Sequence, residues 1–227
     1  MRGLKIEEAK ERKMRQRRQR QRMDDFTVDA LEVGPMAANC YVITHIPTKD
    51  ACLIDPGGEP ERIKKFMKKN GLNLKFIINT HGHGDHILGN GHFGVPIYIH
   101  RLEKDFLTNP DLNLSGMFGL SLRTPEASKL LEDGDKIYLN GLEFEILHTP
   151  GHTPGGISVK LDSVVFTGDT LFAGSVGRTD LPDGDEEALL GSIRKKIFTL
   201  DDDIVVYPGH GHESTIGIEK ESNPFLT

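Results

Sequence analysis

Three histidines and an aspartate lie within six consecutive residues, in the hexapeptide His81-Gly82-His83-Gly84-Asp85-His86. Such a cluster adds little to a hydrophobic core, because every buried polar group must be desolvated and paired. Imidazole nitrogens and carboxylate oxygens are instead common ligands of zinc and related metal ions. The hexapeptide therefore predicts a metal site, and its four adjacent ligands are more than one ion can use comfortably.

The run before the hexapeptide, Leu74-Lys75-Phe76-Ile77-Ile78, is typical of a short buried strand. The histidine spacing of i, i+2 and i+5 differs from the i and i+4 spacing of the helical HExxH motif. Gly82 and Gly84 also disfavour a helix. We therefore expect the four side chains to lie on a loop at the end of a strand.

An HxHxDH sequence after an apolar strand resembles the signature of the metallo-β-lactamase fold superfamily of hydrolases. Three later residues match the family's ligands in their order: His152 in Pro150-Gly151-His152-Thr153, Asp169 in Thr167-Gly168-Asp169-Thr170, and His210 in Pro208-Gly209-His210-Gly211. Each follows a strand-like run and stands at a turn rich in Gly or Pro. We expect all three at the ends of strands, on one rim of a sheet.

The resemblance implies a binuclear centre. The seven candidate ligands divide into a group for each ion and one shared residue: His81, His83 and His152; Asp85, His86 and His210; and Asp169 as the bridge. Zinc is the expected metal, with iron or manganese as alternatives, and a bridging water of lowered pKa would be the nucleophile. Asp85 and Asp169 are thus the expected catalytic carboxylates. Asp55 would brace the metal loop without binding metal itself, with a turn-forming role at the end of a strand as the alternative.

Two further segments narrow the resemblance. Residues 167–184, with Gly177-Arg178-Thr179-Asp180, and the stretch Asn223-Pro224-Phe225-Leu226 look like the short, single-domain glyoxalase II-like hydrolases. This likeness covers about residues 26–227 and implies hydrolysis of glutathione thioesters such as S-lactoylglutathione. Arg178 would contact an acidic thiol carrier, because a guanidinium suits carboxylate recognition. A surface ion pair is the alternative for this residue.

Other residues are candidates for substrate contact. The irregular loop of residues 108–126 contains Met117 and Phe118, which would cover the metal cleft as a lid. His212 stands two positions after His210 and is a candidate neighbour of the substrate.

The same motifs leave a second enzyme class open. Gly177-Arg178-Thr179-Asp180 also resembles the persulfide dioxygenases, which use one iron on His, His and Asp and activate oxygen instead of water. Antibiotic hydrolysis is disfavoured, because Asp169 stands where many β-lactamases have Cys. The chain also stops soon after His210, without the helical region that contributes much of the glutathione site in full-length glyoxalase II. The acyl group and the thiol carrier therefore stay open.

Charge divides the chain into two parts. Residues 1–22 contain ten Lys and Arg and three Glu, a net charge of +7. The whole chain has a net charge of −6, so the remaining residues carry −13. This basic stretch lacks the apolar core of a secretory signal. It is a nucleic-acid-binding arm, a solvated helix or disordered tail, or a segment before a true start at Met23. RNA binding through the arm is the hypothesis from another functional class, although charge runs are usually solvated.

The composition favours a cytoplasmic enzyme. Cys40 and Cys52 both lie in apolar strand-like runs without a CxxC spacing, and we expect both to be free and buried. The expected partner is a small thioester and not a membrane, and nucleic acid is disfavoured. The oligomeric state, monomer or dimer, is left open.

Local patterns predict the elements that position these side chains. Strand-like residues 26–33, 39–44 and 51–55 indicate an antiparallel meander, and residues 59–70 an amphipathic helix that ends at Gly71. Hairpins are expected around Asn140-Gly141, a favoured type I′ turn, and around Asp162-Ser163. Helices are expected over residues 87–93 and 185–198. The resulting fold class is α+β, a four-layer αββα sandwich of two mixed sheets with helices on the outer faces. Residues 1–25 form the basic arm, helical or disordered, and residues 26–227 the hydrolase domain.

Overall fold

Two mixed β-sheets face each other at the centre of the molecule. A computed structural model describes residues 20–22 and 25–226. The first sheet contains β1 (Arg20–Arg22), β2 (Phe26–Val33), β3 (Ala38–His45), β4 (Asp50–Ile54), β5 (Asn73–Ile78), β6 (Ile97–His100) and β7 (Lys129–Leu131). Its strands are ordered as they occur in the chain, antiparallel from β1 to β4 and parallel from β4 to β7.

The second sheet is built from the later half of the chain. It contains β8 (Lys136–Leu139), β9 (Leu142–His148), β10 (Ile157–Leu161), β11 (Val164–Gly168), β14 (Val205–Pro208) and β15 (Ser214–Thr215), and a separate ribbon contains β12 (Leu171–Phe172) and β13 (Ser175–Val176). The order is β15-β14-β11-β10-β9-β8, and only β11 and β14 are parallel. Their carboxyl ends therefore lie side by side.

The two sheets share a hydrophobic core. Successive side chains of a strand point to opposite faces, so Tyr41 and Ile43 of β3 enter this core whereas Val42 packs on the outer face. The Tyr41 ring lies 5.1 Å from that of Phe166 in β11. Contacts of this kind hold the inner faces of the sheets together.

Helices cover both outer faces. The helices are α1 (Pro60–Asn70), α2 (Gly84–Ile87), α3 (Glu186–Ser192) and α4 (Ile216–Ser222), with a π-helical turn at Ile193–Ile197 and 3₁₀ turns at Asn90–His92, Arg101–Leu107 and Ser115–Phe118. Ile63 and Met67 of α1 pack on the first sheet. Leu189 of α3 and Ile216 of α4 pack on the second. The predicted αββα sandwich is confirmed.

Local signals predicted several elements within a residue or two. Asn140 and Gly141 have φ angles of 50° and 92°, as a type I′ turn requires, and Gly71 ends α1 with φ 64°. Cys40 and Cys52 are buried and free. None of the described helices is long and apolar enough to cross a bilayer.

Two predictions about local structure were wrong. The helix expected over residues 87–93 is instead α2 followed by a 3₁₀ turn, so Asp85 and His86 lie on a short helix and not on an open loop. Gly84 starts this helix because its N–H donates to the carbonyl of Asn113, 2.8 Å away, and this long-range contact outweighs the low helix propensity of glycine.

The second correction concerns the basic arm. Its last residues, Arg20–Arg22, form an edge strand that pairs with Asp29–Thr27 of β2, so this part of the arm is neither helical nor disordered. A free strand edge offers unpaired backbone groups to any neighbouring segment, and charge composition does not reveal such pairing. The other residues of the predicted arm up to position 24, namely 1–19, Met23 and Asp24, lie outside the described residues.

Candidate metal centre

Four chain segments bring the predicted ligands together at one edge of the sandwich. The hexapeptide follows β5, His152 follows β9, Asp169 follows β11 and His210 follows β14. The N–H of Gly209 donates to the carbonyl of Gly168 at 2.7 Å, which joins the last two segments beyond the parallel strands.

The first group, here called the three-histidine cluster, consists of His81, His83 and His152, which are all buried and offer nitrogens within 4.8 Å of one another. Nδ1 of His152 lies 2.8 Å from the backbone carbonyl of Arg178. Because a carbonyl only accepts, this Nδ1 carries the proton and Nε2 keeps a free lone pair. That Nε2 lies 2.9 Å from Nδ1 of His83.

The second group, here called the carboxylate cluster, consists of Asp85, His86 and His210. Nε2 of His210 lies 3.2 Å from Oδ2 of Asp85, and Nε2 of His86 lies 3.6 Å from the same oxygen. The His210 side chain is 28% exposed, whereas His86 is fully buried. This cluster therefore forms the open side of the site.

Asp169 lies between the two clusters. Its Oδ2 is 3.6 Å from Nε2 of His152 and 3.7 Å from Nε2 of His210, and its Oδ1 is 3.5 Å from Nε2 of His86. A single carboxylate thus faces nitrogens of both groups, which is the position that a bridging ligand needs.

Asp55 contacts the hexapeptide from behind. Its Oδ1 accepts a hydrogen bond of 2.8 Å from the N–H of Thr80, and its Oδ2 accepts one of 2.6 Å from the Thr80 hydroxyl. Oδ2 also lies 3.0 Å from Nδ1 of His86, and the Thr80 hydroxyl lies 3.1 Å from Nδ1 of His81. Protons on both Nδ1 atoms leave both Nε2 atoms free for a metal. Asp55 itself has a φ of 51°, a strained backbone geometry for a non-glycine residue.

The electrostatics of the two clusters differ. Burial and the neighbouring imidazoles lower the pKa of His81, and they lower that of His83 to about 3. Burial also acts to lower the pKa of His86, but Asp85 and Asp169 outweigh it and raise this pKa to about 10. Positive charge is thus unfavourable on His81 and His83 and favourable on His86, beside the carboxylates of the second cluster.

Unpartnered buried atoms show that the site fits divalent cations. Among the described residues, Nε2 of His81, Nε2 of His86 and Oδ1 of Asp169 are buried without a hydrogen-bond partner. Such atoms cost free energy unless another group satisfies them. A Cβ on Gly209 would lie 2.1 Å from Oδ1 of Asp169, so only glycine leaves space for this carboxylate. Imidazole and carboxylate donors together match a zinc or iron site.

A family comparison agrees with this geometry. The sequence model of the metallo-beta-lactamase superfamily matches residues 33–210, which include all seven candidate ligands. The chain belongs to the metallo-β-lactamase superfamily. The resemblance stated from the hexapeptide and the three later motifs is confirmed.

Individual superfamily members are similar over most of their length. Hydroxyacylglutathione hydrolase GloC of Haemophilus influenzae is 44% identical over 211 residues, which cover 86% of this chain and 97% of the relative. The BLEG-1 B3 metallo-beta-lactamase structure superposes with a TM-score of 0.85 at 38% identity, covering 88% of this chain and 99% of that one.

Two other superfamily structures bear on the choice of metal and reaction. The structure of TTHA1623 in a di-iron-bound form has a TM-score of 0.76 at 35% identity, covering 87% of this chain and 99% of that one. The structure of ETHE1 from Myxococcus xanthus has a TM-score of 0.72 at 29% identity, covering 87% and 83%.

Other predicted residues of this superfamily member lie apart from the two clusters. The Arg178 side chain forms two hydrogen bonds with Asp180, of 2.7 and 2.8 Å, and both side chains are exposed. Only the backbone carbonyl of Arg178 contacts the site. His212 is exposed, and the clusters found among the described residues do not include it. The structure thus shows the surface ion pair that was the alternative for Arg178.

The predicted lid is tied to the metal loop at one point. Asn113 accepts from Gly84 through its carbonyl, and its side-chain amide donates to the carbonyls of Phe106 and Leu122. Met117, on the 3₁₀ turn that follows, is 69% exposed. The side chain of Phe118 lies outside the described part of the structure. The exposed Met117 thus follows a residue, Asn113, that is fixed by hydrogen bonds.

Sequence reasoning missed two polar residues of the site. Thr80 relays the contact between Asp55 and His81, and Glu103 is a fully buried carboxylate that accepts from Gly82. Thr80 stands directly before the hexapeptide, so its position was a usable signal. Glu103 lies among charged residues of a short helical segment, where a solvated side chain is the normal expectation.

Proposed function

We propose that this protein is a binuclear metal-dependent hydrolase that cleaves thioesters of glutathione or a related thiol. The observation that carries the proposal is the arrangement of seven His and Asp side chains into two clusters with Asp169 between them. Two groups of three donors suit two ions, whereas the one-iron alternative would use only three of these side chains. Zinc is the proposed metal, with iron or manganese as alternatives.

Support for the substrate class comes from a relative. GloC is named a hydroxyacylglutathione hydrolase, and it shares 44% identity with this chain over 97% of its own length. The glyoxalase II-like segments around Arg178 and Asn223 agree with this class. A small thioester is therefore the proposed partner, and neither a membrane nor a nucleic acid is part of the proposal.

The proposed mechanism assigns a task to each group of residues. His81, His83 and His152 would hold one ion, Asp85, His86 and His210 the other, with Asp169 shared between them. When bound, two divalent ions lower the pKa of water and polarise a carbonyl, which supplies a nucleophile without Ser or Cys.

The protein residues would control access and orientation. Burial of the three-histidine cluster closes one side, so the substrate would approach beside Asp85 and His210, which are partly exposed. The carboxylate oxygens of Asp85 and Asp169 are acceptors, and we propose that they orient the O–H bonds of the attacking water. Asp55 and Thr80 keep two of the imidazoles in the required tautomers.

A second candidate is a persulfide dioxygenase. It is favoured by the similarity to ETHE1 at 29% identity and by the Gly177-Arg178-Thr179-Asp180 segment. This candidate would use one iron and consume oxygen. The similarity to a B3 metallo-beta-lactamase makes β-lactam hydrolysis a further reaction to assay.

The cell location is also a proposal. Cys40 and Cys52 are both buried and unpaired, which suits the reducing cytoplasm. The competing nucleic-acid hypothesis rests on residues 1–22. Filter binding at several salt concentrations, with and without these residues, tests it, because phosphate contacts weaken steeply as salt rises.

One experiment separates the enzymatic candidates. Metal content is measured by mass spectrometry on purified protein, together with thiol release from S-lactoylglutathione, oxygen uptake with glutathione persulfide, and hydrolysis of a chromogenic cephalosporin. We expect two metals per chain, thiol release, and loss of that activity after chelation. One iron with oxygen uptake would replace the proposal by the dioxygenase, and β-lactam turnover without thiol release would replace it by a lactamase.

A further inference from the structure

Glu103 is a fully buried carboxylate beside the candidate centre, and no step proposed above uses it. Its Oε2 accepts a hydrogen bond of 2.9 Å from the N–H of Gly82, which stands between His81 and His83. Its Oε1 accepts one of 2.8 Å from the N–H of Gly155, three residues after His152. One side chain therefore bonds both segments that supply the three-histidine cluster.

The two bonded segments come from different sheets. Gly82 follows β5 of the first sheet, Gly155 lies between β9 and β10 of the second, and Glu103 lies on the 3₁₀ turn that follows β6. The carboxylate thus bridges the sheets at the edge where the candidate ligands meet. Because each oxygen accepts from one segment, the distance between the segments is limited by the size of a single carboxylate.

Close packing against Glu103 explains two glycines. A Cβ on Gly155 would lie 2.6 Å from Cγ of Glu103 and 2.9 Å from its Oε1. A Cβ on Gly82 would lie 2.3 Å from Cβ of Phe106 and 3.0 Å from Oε2 of Glu103. Any larger residue would move the carboxylate away from its donors. Both glycines therefore let the backbone N–H groups reach Glu103.

Burial of this carboxylate is costly. Burial raises the pKa of Glu103, and the Thr153 side chain and the amides of Gly155 and Gly82 offset part of that rise. A buried carboxylate is tolerated where its hydrogen bonds define a unique geometry. The geometry fixed here includes the 2.9 Å separation between Nδ1 of His83 and Nε2 of His152.

We propose that Glu103 is a positioning residue that sets the separation of His83 and His152 and so preorganises the three-histidine cluster for its metal ion. This inference rests on the proposed function, since it assigns a metal to that cluster. Only one of the two metal positions should be affected, because among the described residues Glu103 accepts from no segment that belongs only to the carboxylate cluster.

Glu219 provides a matched control. It is also a buried carboxylate, and it accepts from the N–H of Gly174 at 2.9 Å, from the Ser214 hydroxyl, and from the side chain of Asn223 at 2.7 Å. These donors stand outside the seven candidate ligands. The effect of Glu219→Gln on zinc binding therefore measures how far removal of any buried carboxylate from this fold weakens metal binding.

The test compares wild-type protein with Glu103→Gln and Glu219→Gln. The amide keeps the shape of Glu103 but turns an NH₂ donor toward one of the two backbone N–H groups. We expect Glu103→Gln to bind one of two zinc ions roughly 10- to 100-fold more weakly by calorimetric titration, the range seen when residues supporting a metal ligand are removed. Zinc content would fall from two toward one per chain, while Glu219→Gln would retain two.

Several outcomes would overturn the inference. Unchanged zinc binding in Glu103→Gln would do so, and so would an equal loss in both variants, which would make Glu103 a general structural residue. Wild-type protein that binds no zinc, iron or manganese would instead contradict the proposed function, before any variant is compared.

A measurement on wild-type protein covers the case in which Glu103→Gln does not fold. Hydrogen exchange by NMR on metal-free protein should show protected amides at Gly82 and Gly155, because both are bonded to Glu103 independently of metal. Free exchange at these two amides would refute the positioning role.

Discussion

Nδ1 of His86 lies 3.0 Å from Oδ2 of Asp55, a carboxylate that precedes it by 31 residues in the chain. The same oxygen accepts from the Thr80 hydroxyl, which in turn contacts Nδ1 of His81. Asp55 therefore fixes the tautomers of one histidine from each cluster. One residue behind the metal site thus determines which ring nitrogen carries the proton in a histidine of each cluster.

Asp55→Asn should weaken metal binding at both positions. An amide has one acceptor oxygen and cannot accept from Thr80 and His86 as the carboxylate does, so an Nδ1 proton loses its partner. We expect affinity or turnover to fall roughly 10- to 100-fold, as for other residues that orient metal-bound imidazoles. Zinc titration checks this. Asp50→Asn, at the start of β4, the strand that Asp55 follows, should retain wild-type affinity, and equal loss in both variants would contradict the prediction.

Arg178→Ala tests whether this side chain has the predicted role in substrate binding. Its guanidinium pairs with exposed Asp180, whereas its backbone carbonyl, which orients His152, survives any substitution. If the guanidinium leaves this ion pair to bind the thiol carrier, KM for a glutathione thioester should rise several-fold while kcat and metal content stay near wild type; an ion pair alone predicts an unchanged KM. Asp180→Ala is the control, since it frees the guanidinium and should not raise KM. A fall in kcat alone would show that the residue acts through His152 instead.

Met117→Ala tests the lid. This side chain is exposed at the tip of a loop anchored by Asn113, so its removal should barely change the unfolding midpoint. If the tip covers bound substrate, KM should increase several-fold. Ile218→Ala removes a similarly exposed apolar side chain from α4 and should leave KM unchanged. Identical kinetics in Met117→Ala, Phe118→Ala and wild type would exclude the lid.

His100 should make the metal-free protein less stable in acid. Burial, together with His148 stacked 4.2 Å away, lowers the pKa of His100 to about 4. Between pH 6.5 and 4 the unfolded chain binds a proton here that the folded chain does not, so stability falls as the pH falls. At about 1.4 kcal/mol per pKa unit, and after allowance for solvent screening, the contribution lost by pH 4.5 is on the order of 2 kcal/mol.

His100→Asn isolates this contribution. Nδ1 of His100 accepts from the N–H of Leu102 as the cap of a 3₁₀ turn, and Asn can replace it in that position. Urea unfolding with chelator at pH 7 and pH 4.5 should show a smaller loss of stability in the variant. Equal losses would mean that His100 does not titrate in this range.

The sequence was informative wherever the determinants are local. Short runs rich in Val, Ile and Leu between turn residues indicated β2 and β3, and the pair Asn140-Gly141 indicated a hairpin turn, which the positive φ angles confirm. The seven candidate ligands could be found because each stands in a short motif of Gly and Pro. The division of these ligands into two metal-binding groups was taken from the family resemblance, because spacing along the chain does not show which strand ends meet.

Residues defined by distant contacts could not be predicted. Glu103 bonds residues that lie 21 and 52 positions away, and nothing near it in the sequence marks it as buried. Gly84 begins a helix where its N–H donates to the carbonyl of Asn113, a residue distant in the chain. The site uses the backbone carbonyl of Arg178, a group that every residue has. Strands of two or three residues, such as β12 and β15, are too short to give a periodic signal.

The order of the candidate ligands along the chain has a consequence for biosynthesis. The N-terminal part of a chain emerges from the ribosome first, and a domain folds as a unit once its segments are available. All residues of the three-histidine cluster have been synthesised once His152 has emerged. The carboxylate cluster also needs His210, which follows β14 near the end of the chain. Under the proposed binuclear assignment, the second metal position therefore cannot be completed until almost the whole chain has been synthesised.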